Sequence, residues 1–537
     1  MERSVRTQQS SPDSHLQLEA VQSLPYYPVD GGQLILVNPI AKGGYGNVIA
    51  ADFKPYNGEM PFTAEPGYAV KQMGWGWEHT PTQSLDVVRN PEYKATDYLR
   101  TEQEVRAMAD KERQIMGLGH PNIVPLAPFA GVDASRNKLY YTMPYASQTL
   151  EKWLTRPNLT SYERVTILRH VSAGLQYAHD RGIVHRDVKP TNIFLMRDQM
   201  SMGFRAVIGD FGIAVQISPK TKAEEEYKKK PLGTTGYVPF EQYTEDGAVP
   251  ASDQFALGVV AYQVLTGMLP YNGSDIEIAQ QVADMDTPPP TFPSLTGQPD
   301  TITKRFLEPV VLRAIAKRPE DRHSSISAFG EALGAALAAA GAECRRQVTV
   351  LHDRAAFAEN SGQQTWPYYE TALALLDEAL AANPNDITAM YQKFRSFQRL
   401  GRPSEAWQMF NIIVQTPAQN PDDSAARGCA FAHLGDHVQA LECYADAQAG
   451  RSTLPDIDRL AAHSLEELGR TAQQENRTDE AIAHYTQAIA NYQRHADRVG
   501  MSEPFAVKIN VLQQRVDKLV RSRSMFIRPQ FSLVAVV

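Results

Sequence analysis

Three alanines at one fixed interval constrain this chain more than any other feature. Ala372, Ala406 and Ala440 are 34 residues apart, in the strings YETALALLDEAL, RPSEAWQMFNII and DHVQALECYADA. The second and third share an upstream Leu-Gly pair, Leu400–Gly401 and Leu434–Gly435. A further string, RTDEAIAHYTQAI, brings Ala481 after 41 residues instead of 34. Seven residues beyond three of these alanines stand Ala379, Ala447 and Ala488, which keep a small face along one helix of each unit. NPND (383–386) and NPDD (420–423) supply turns between units. Self-similarity at this period marks stacked helical units, none of which can bury its apolar face alone.

The first half reads differently. From Gly31 to Lys71 the apolar segments QLILVNPI, NVIAADF and YAVKQM are broken by glycine and proline clusters, a strand pattern. Helical spacing follows at about 95–118, then strand candidates LAPFAGV and KLYYTMPY, then helices at 162–182 and 253–267. Strand candidates cease after about residue 345. Lys plus Arg number 53 against 61 Asp plus Glu, a net charge of −8, which argues against a global nucleic-acid binder. Cys344, Cys429 and Cys443 are too few for a disulfide scaffold and lack tight metal-ligand spacing, as in a reducing compartment. The first 24 residues are polar and read as disordered, without the apolar stretch of a signal peptide. No run reaches ~18 apolar residues. The best, ALGAALAAAG at 332–341, suits a buried or surface helix, so the expectation is a cytoplasmic protein with no membrane span.

Several strings carry chemistry. IAKGGYGNVIA sets Gly43 and Gly46 between two strand candidates, with Val48 following; such a turn brings backbone N–H groups close to phosphates, although an ordinary glycine turn looks the same in isolation. AVK at 69–71 puts Lys71 in an apolar strand, where an ammonium requires anionic partners. HRDVKPTN, His185 to Asn192, groups an aspartate, a lysine two residues on and an asparagine five residues on. VIGDFG places Asp210 eighteen residues after Asn192. KTKAEEEYKKK reads as a solvated mobile loop that leads into PLGTTGYVPFEQ, and KRPEDRHSS contains Arg322.

Taken in order over about residues 33–335, these strings resemble the protein kinase signature set, and the later half resembles the tetratricopeptide repeat. The catalytic core looks most like the bacterial eukaryote-like serine/threonine kinases. The resemblance implies an α+β, two-lobed kinase fold followed by an all-α superhelical domain. The kinase domain is expected over 25–340, with the small lobe ending near 146. A linker or connecting helix at 341–366, repeats at 367–520 and a tail at 521–537 follow.

The resemblance also implies roles. ATP phosphates lie under Ala41, Gly43, Gly46 and Val48, with Ala41 replacing the family's first glycine. Lys71 holds the α/β-phosphates and pairs with a helix glutamate, Glu112, with Glu104 or Glu102 open if the register differs. Asp187 orients or deprotonates the attacking hydroxyl and Lys189 offsets charge on the transferred group. Asn192 and Asp210 hold Mg²⁺, with Mn²⁺ a possible substitute, and His185 is structural. Met143 is the gatekeeper-like residue, and Pro144, Tyr145 and Ala146 form the hinge against adenine. Asp253 accepts bonds from the catalytic-loop backbone, and Glu241 pairs with Arg322. Pro239–Phe240–Glu241 stands where the family has Ala-Pro-Glu, which bears on substrate preference. Thr234 and Thr235 are candidate phosphosites with Arg186 as a cationic partner, Thr235 being the closer match to the substrate-contact position. The two tryptophans of GWGWEHTPTQSLDVV cap the small lobe or dock a partner.

The expected function is therefore a protein serine/threonine kinase whose repeats recruit a protein or peptide partner. The alternative is a pseudokinase scaffold, in which the repeats bind and the kinase fold only responds to nucleotide. Oligomeric state is not readable.

Overall fold

Short apolar strands pairing antiparallel build the first part of the molecule. The computed structural model describes residues 26–29, 32–43, 46–55, 68–74, 102–117, 119–127, 129–133, 138–146, 148–156, 159–197, 204–217, 222–229, 232–244, 247–293, 301–452, 456–500 and 503–526. The expectations for residues 1–24, for the tryptophans at 75 and 77, and for the end of the tail fall outside them. The chain divides into two compact units, Met1–Leu337 and Ala338–Val537.

In the first unit, β1 (Tyr26–Val29), β2 (Gly32–Gly43), β3 (Gly46–Pro55), β4 (Tyr68–Gly74), β5 (Ala130–Asp133) and β6 (Lys138–Pro144) form one sheet in the order β1-β2-β3-β4-β6-β5. Every neighbouring pair is antiparallel. Alternation along the strands gives the sheet two apolar faces. Leu34, Leu36, Ala51, Val70 and Tyr140 cluster on one. On the other, Met73, Leu139 and Tyr141 receive Val105, Ala109 and Met116 from helix α1 (Glu102–Met116). Each large side chain buried there is worth about 1.5–3 kcal/mol, which fixes the helix across the strand bearing Lys71.

The rest of the unit is mainly helical. Strand β7 (Gln148–Thr149) and α2 (Leu150–Trp153) precede the central α3 (Ser161–His179), whose start is set by a capping box between Thr160 and Glu163. Then come β8 (Ile183–Val184), β9 (Ile193–Arg197), β10 (Phe204–Ile208) and β11 (Val215–Gln216). They pair as a three-stranded β10-β9-β7 sheet and a two-stranded β11-β8 ribbon. Helix α4 (Lys222–Lys229) occupies the charged run expected as a solvated loop. Glutamates toward its start and lysines at its end suit the helix dipole, Lys229 lies 3.7 Å from Glu225 one turn back, and Lys228 Nζ donates to Ile217 O at 3.2 Å.

Helix α5 (Pro250–Thr266) is apolar and buried on nearly every side, with proline at its start and Gly267 at φ +78° closing its end. Helices α6 (Asp275–Ala283), α7 (Ile302–Ala314) and the start of α8 (Ile326–Asn360) complete the helical series, and α8 from Ala338 onward belongs to the second unit. The stretch 341–366 is mostly helix, since α8 continues unbroken to Asn360.

The second unit contains α9 (Trp366–Ala382), α10 (Ile387–Arg399), α11 (Pro403–Gln415), α12 (Pro421–His433), α13 (His437–Ala449), α14 (Ile457–Gln474), α15 (Thr478–Val499) and α16 (Glu503–Phe526). The periodic alanines Ala372, Ala406, Ala440 and Ala481 all lie buried, on α9, α11, α13 and α15. Gly428 and Gly469 face them from the partner helices: a Cβ there would come within 2.7 Å of the Tyr444 ring and 2.8 Å of the Tyr485 ring. The recurring Leu-Gly pair ends α10 and α12, because Gly401 and Gly435 take φ +68° and +84°. Asn476, at φ +59°, does the same after α14 without a glycine. The 41-residue interval arises because α14 has 18 residues where α12 has 13, with the remainder in the preceding connection. No described helix is long and apolar enough to cross a membrane.

Candidate active site

Lys71 sits on the central strand of the sheet. One line of paired residues crosses it there: Ala41 opposite Val48, Val48 opposite Lys71, Lys71 opposite Tyr141. Gly43 pairs with Gly46 at the tip of the β2–β3 hairpin, so the glycine turn and Lys71 are tied into one register. The side chains of Ala41 and Val48 are outside the described set. Lys71 itself is buried, and its Nζ donates to Asp210 Oδ1 at 2.7 Å. An ammonium removed from water here is balanced by a carboxylate from the other lobe. Burial opposes ionisation of Asp210, yet Lys71, with Lys189 further off, holds its carboxyl below the usual range. Glu112 lies on α1 in the stripe of Val105, Ala109 and Met116, while position 104 lies off it. The side chains of Glu112, Glu104 and Glu102 are outside the described residues.

The loop between β8 and β9 brings the remaining groups together. Asp187 Oδ1 accepts from Thr234 Oγ1 at 2.8 Å. Its Oδ2 accepts from Asn192 Nδ2 at 3.0 Å and lies 2.8 Å from Lys189 Nζ. Asn192 Nδ2 also donates to the Asp187 carbonyl at 2.8 Å, which turns its amide oxygen away from Asp187. Lys189 Nζ donates to Thr234 Oγ1 at 2.7 Å, so that hydroxyl bridges Lys189 and Asp187. The threonine held between Asp187 and Lys189 is therefore Thr234 and not Thr235. Counting back from Tyr237 gives the reason. Tyr237 N–H closes a turn on Thr234 O at 3.0 Å, and the Tyr237 hydroxyl is anchored on Gln263 Oε1 at 2.8 Å. Burial pushes that phenol up to about 12.

Asp253, fully buried in the first turn of α5, fixes the loop backbone. Its Oδ2 accepts from His185 N–H at 2.8 Å and lies 2.7 Å from His179 Nε2, and its Oδ1 accepts from Arg186 N–H at 2.8 Å. Burial opposes charge on Asp253, but the bonds from His179 and the loop hold its carboxyl below the usual range. Arg186 and Asp210 have φ of +73° and +64°, a left-handed conformation uncommon outside glycine. Such strain persists only where neighbours over-determine it, and here Asp253 and Lys71 are those neighbours.

His185 Nδ1 accepts from Asp187 N–H at 3.2 Å, and its Nε2 faces Gly209 O at 3.0 Å. The imidazole is thus a neutral Nε2–H tautomer with both nitrogens engaged, and is no base. Its ring packs on Phe211 at 4.4 Å between centroids. Gly209 admits no side chain, since a Cβ would meet Val124 at 2.7 Å. Below the site Arg322 and Glu241 form a buried two-pronged pair, Nη1–Oε1 2.7 Å and Nη2–Oε2 3.0 Å, with Ser252 Oγ donating to Glu241 Oε1 at 3.0 Å. Met143 is half-buried against the cluster under the sheet, and Tyr145 and Ala146 follow the end of β6.

As a cation site, the arrangement offers hard oxygen donors only, the Asp210 carboxylate and the Asn192 amide. Among the described residues no group of three or more His, Cys, Asp or Glu could hold a metal by itself. A small oxygen set left incomplete suits a hard divalent cation arriving with phosphates and water. Sequence reasoning missed Gly428 and Gly469, although each stands twelve residues before a periodic alanine. It also missed the bridging position of Thr234, recoverable by counting back from Tyr237.

Comparison with known proteins agrees. Residues 92–332 match the protein kinase domain family, and residues 426–494 match the tetratricopeptide repeat. The first match begins beyond β4, so strands β1–β4 stand outside it. Serine/threonine-protein kinase Pkn1 of Myxococcus xanthus is 38% identical over 269 residues, 49% of this chain and 36% of that protein. Serine/threonine-protein kinase pkn3 of the same organism is 32% identical over 236 residues, covering 43% and 42%. Serine/threonine-protein kinase PrkC of Bacillus subtilis is 30% identical over 237 residues, covering 43% and 33%. The match thus spans less than half the length of each of these curated relatives.

Proposed function

We propose that this chain, which carries a protein kinase domain followed by tetratricopeptide repeats, transfers the γ-phosphate of ATP to serine or threonine hydroxyls of protein substrates. The observation that carries the reading is the convergence of Asp187, Lys189, Asn192 and Thr234 within hydrogen-bond distance, with Lys71 on Asp210 across the lobes. In this reading a substrate hydroxyl approaches Asp187, which orients it and takes its proton. The hydroxyl oxygen bonds to the γ-phosphorus as the bond to the β-phosphate oxygen breaks, and ADP leaves. Lys189 offsets charge on the transferred group, and Lys71 moves from Asp210 to the α/β-phosphates. Asn192 and Asp210 would hold Mg²⁺, with Mn²⁺ able to substitute, and the cation supplies neutralisation of the phosphate oxygens. Adenine lies against Tyr145 and Ala146 under Ala41, Gly43, Gly46 and Val48, with Met143 behind it and Glu112 as partner to Lys71.

Thr234 orders the site through its hydroxyl, which leaves Thr235 the freer of the two for phosphorylation. The repeats receive a protein or peptide partner, in a cytoplasmic setting. Retention of Lys71, Asp187, Asn192 and Asp210 favours catalysis over a pseudokinase scaffold. The test is incorporation of label from radiolabelled ATP with Mg²⁺ into the chain and a generic acceptor protein. D187A should abolish it, and T234S should retain more than T234A. Equal incorporation by wild type and D187A, or none by wild type with acceptor present, sinks the proposal.

A further inference from the structure

Away from the catalytic loop, the end of α3 carries a cationic cluster that the proposed reaction does not use. Tyr177 organises it. The Arg181 guanidinium carbon lies 3.4 Å from the Tyr177 ring centroid, and Arg181 Nη1 donates to Tyr177 O at 3.1 Å. The His120 ring stacks on the same phenol, 4.6 Å between centroids at 32°. His120 Nδ1 accepts from Asn122 N–H at 3.1 Å, which makes the imidazole an Nε2–H donor when neutral. Asn122 Nδ2 in turn donates to Ala206 O at 3.0 Å, and this bond ties the His120 turn to the strand position next to Arg205.

Arg205 is half-buried on β10, and its Nε is buried without a hydrogen-bond partner. Among the described residues neither Arg181 nor Arg205 has a carboxylate within ion-pair distance. Burial lowers the pKa of His120, and Arg181 and Arg205 lower it further with no acidic group opposing. The charges of both arginines therefore reach the same imidazole. In a chain of net charge −8, two guanidiniums with no carboxylate at ion-pair distance, one of them held on Tyr177 beside the His120 N–H donor, make a cationic set suited to an anionic ligand.

We propose that Arg181, Arg205 and His120 form a docking site for a phosphorylated side chain of a protein partner, separate from the catalytic centre. Two guanidiniums supply planar N–H pairs for phosphate oxygens, and His120 Nε2–H supplies one more donor. Fixing Arg181 on Tyr177 reduces the side-chain freedom lost on binding. The site rests on geometry independent of the proposed catalysis, so it is tested in a chain that need not turn over.

The experiment is fluorescence anisotropy on full-length D187N chain, without nucleotide. The probe is a labelled neutral peptide with one central phosphoserine, compared with its unphosphorylated and glutamate forms. The phosphopeptide should bind at least tenfold tighter than the unphosphorylated peptide, and inorganic phosphate should displace it. R181Q and R205Q, each checked for an unchanged thermal midpoint, should each weaken phosphopeptide binding about tenfold, while R205K should lose less than R205Q. Equal affinity for phosphorylated and unphosphorylated peptides overturns the proposal, as does phosphopeptide binding unchanged in R181Q/R205Q. Preference for anionic lipid vesicles over the phosphopeptide, lost in the same variants, assigns the cluster to a membrane and refutes it equally.

Discussion

Asp253 offers the sharpest test of how the fold holds the proposed catalytic loop. Its buried carboxylate takes three hydrogen bonds, from the His185 and Arg186 amides at 2.8 Å each and with His179 Nε2 at 2.7 Å. Asp253→Asn keeps shape and volume but leaves a single acceptor oxygen. Oδ1 and Oδ2 each serve a different amide, so one buried N–H must then face an NH₂ group. Loss of one charge-assisted bond costs about 1.5–3 kcal/mol, and Asp253→Ala, which loses all three, costs roughly twice that or more. Arg186, at φ +73°, then relaxes, and Asp187 shifts with it. A displacement near 1 Å lowers kcat by about 10²-fold.

Two assays read this. Hydrogen exchange over residues 183–192 should accelerate about 10- to 100-fold in D253N, the equivalent of that energy. Steady-state kinetics should show kcat falling about 10²-fold with the KM for ATP little changed, because the Lys71 strand is untouched. Since the carboxyl of Asp253 is held below its usual range, its contribution is full above about pH 4 and is lost only as pH falls through the depressed value. D253N with wild-type exchange at 183–192 and wild-type kcat would refute the reasoning.

Three further outcomes are expected. Glu241→Ala leaves the buried Arg322 without its carboxylate, so the transition of the first unit should drop by about 3–5 kcal/mol in thermal or denaturant unfolding, whereas a loss under 1 would contradict the buried pair. His352, buried with its Nε2 2.9 Å from Ser396 Oγ, has a pKa lowered to about 4, by burial first and then by Arg395. The unfolded chain takes up that proton near pH 6.5 and the folded one does not, so the second unit should lose up to ~3 kcal/mol between about pH 6.5 and 4. H352Q should flatten that slope in pH-dependent melting. Gly469→Ala drives a methyl to 2.8 Å from the Tyr485 ring and should destabilise the helical unit by about 1–3 kcal/mol in thermal unfolding, while leaving the transition of the first unit unchanged.

What the sequence disclosed followed how local the constraint was. HRDVKPTN was legible because its polar groups act within one turn of chain, as the Asn192–Asp187 bonds display. The alanine period was legible because each alanine meets the same kind of partner helix. The fourth unit, legible from RTDEAIAHYTQAI, lacks the Leu-Gly pair because Asn476 fills the left-handed position that Gly401 and Gly435 fill elsewhere. Which of Thr234 and Thr235 bridges Asp187 and Lys189 was not legible, because it depends on a turn closed by Tyr237, a contact invisible to spacing alone. The run KTKAEEEYKKK looked like loop because solvated charge suits loops and short helices alike. Only the bond from Lys228 to Ile217 and the ladder along the chain decide for helix.

The Lys71–Asp210 pair also changes what nucleotide entry means. The cleft is not a bare cation awaiting an anion, because each of its two charges is already the counter-ion of the other. Under the proposed reading, loading becomes a double exchange in which phosphate replaces Asp210 on Lys71 while the metal replaces Lys71 on Asp210. Either half alone takes a counter-ion from one group without replacing it on the other, so nucleotide and metal should each raise the affinity for the other beyond their contact in solution. Free ATP and free Mg²⁺ should both be poor ligands of a protein that takes the pair readily.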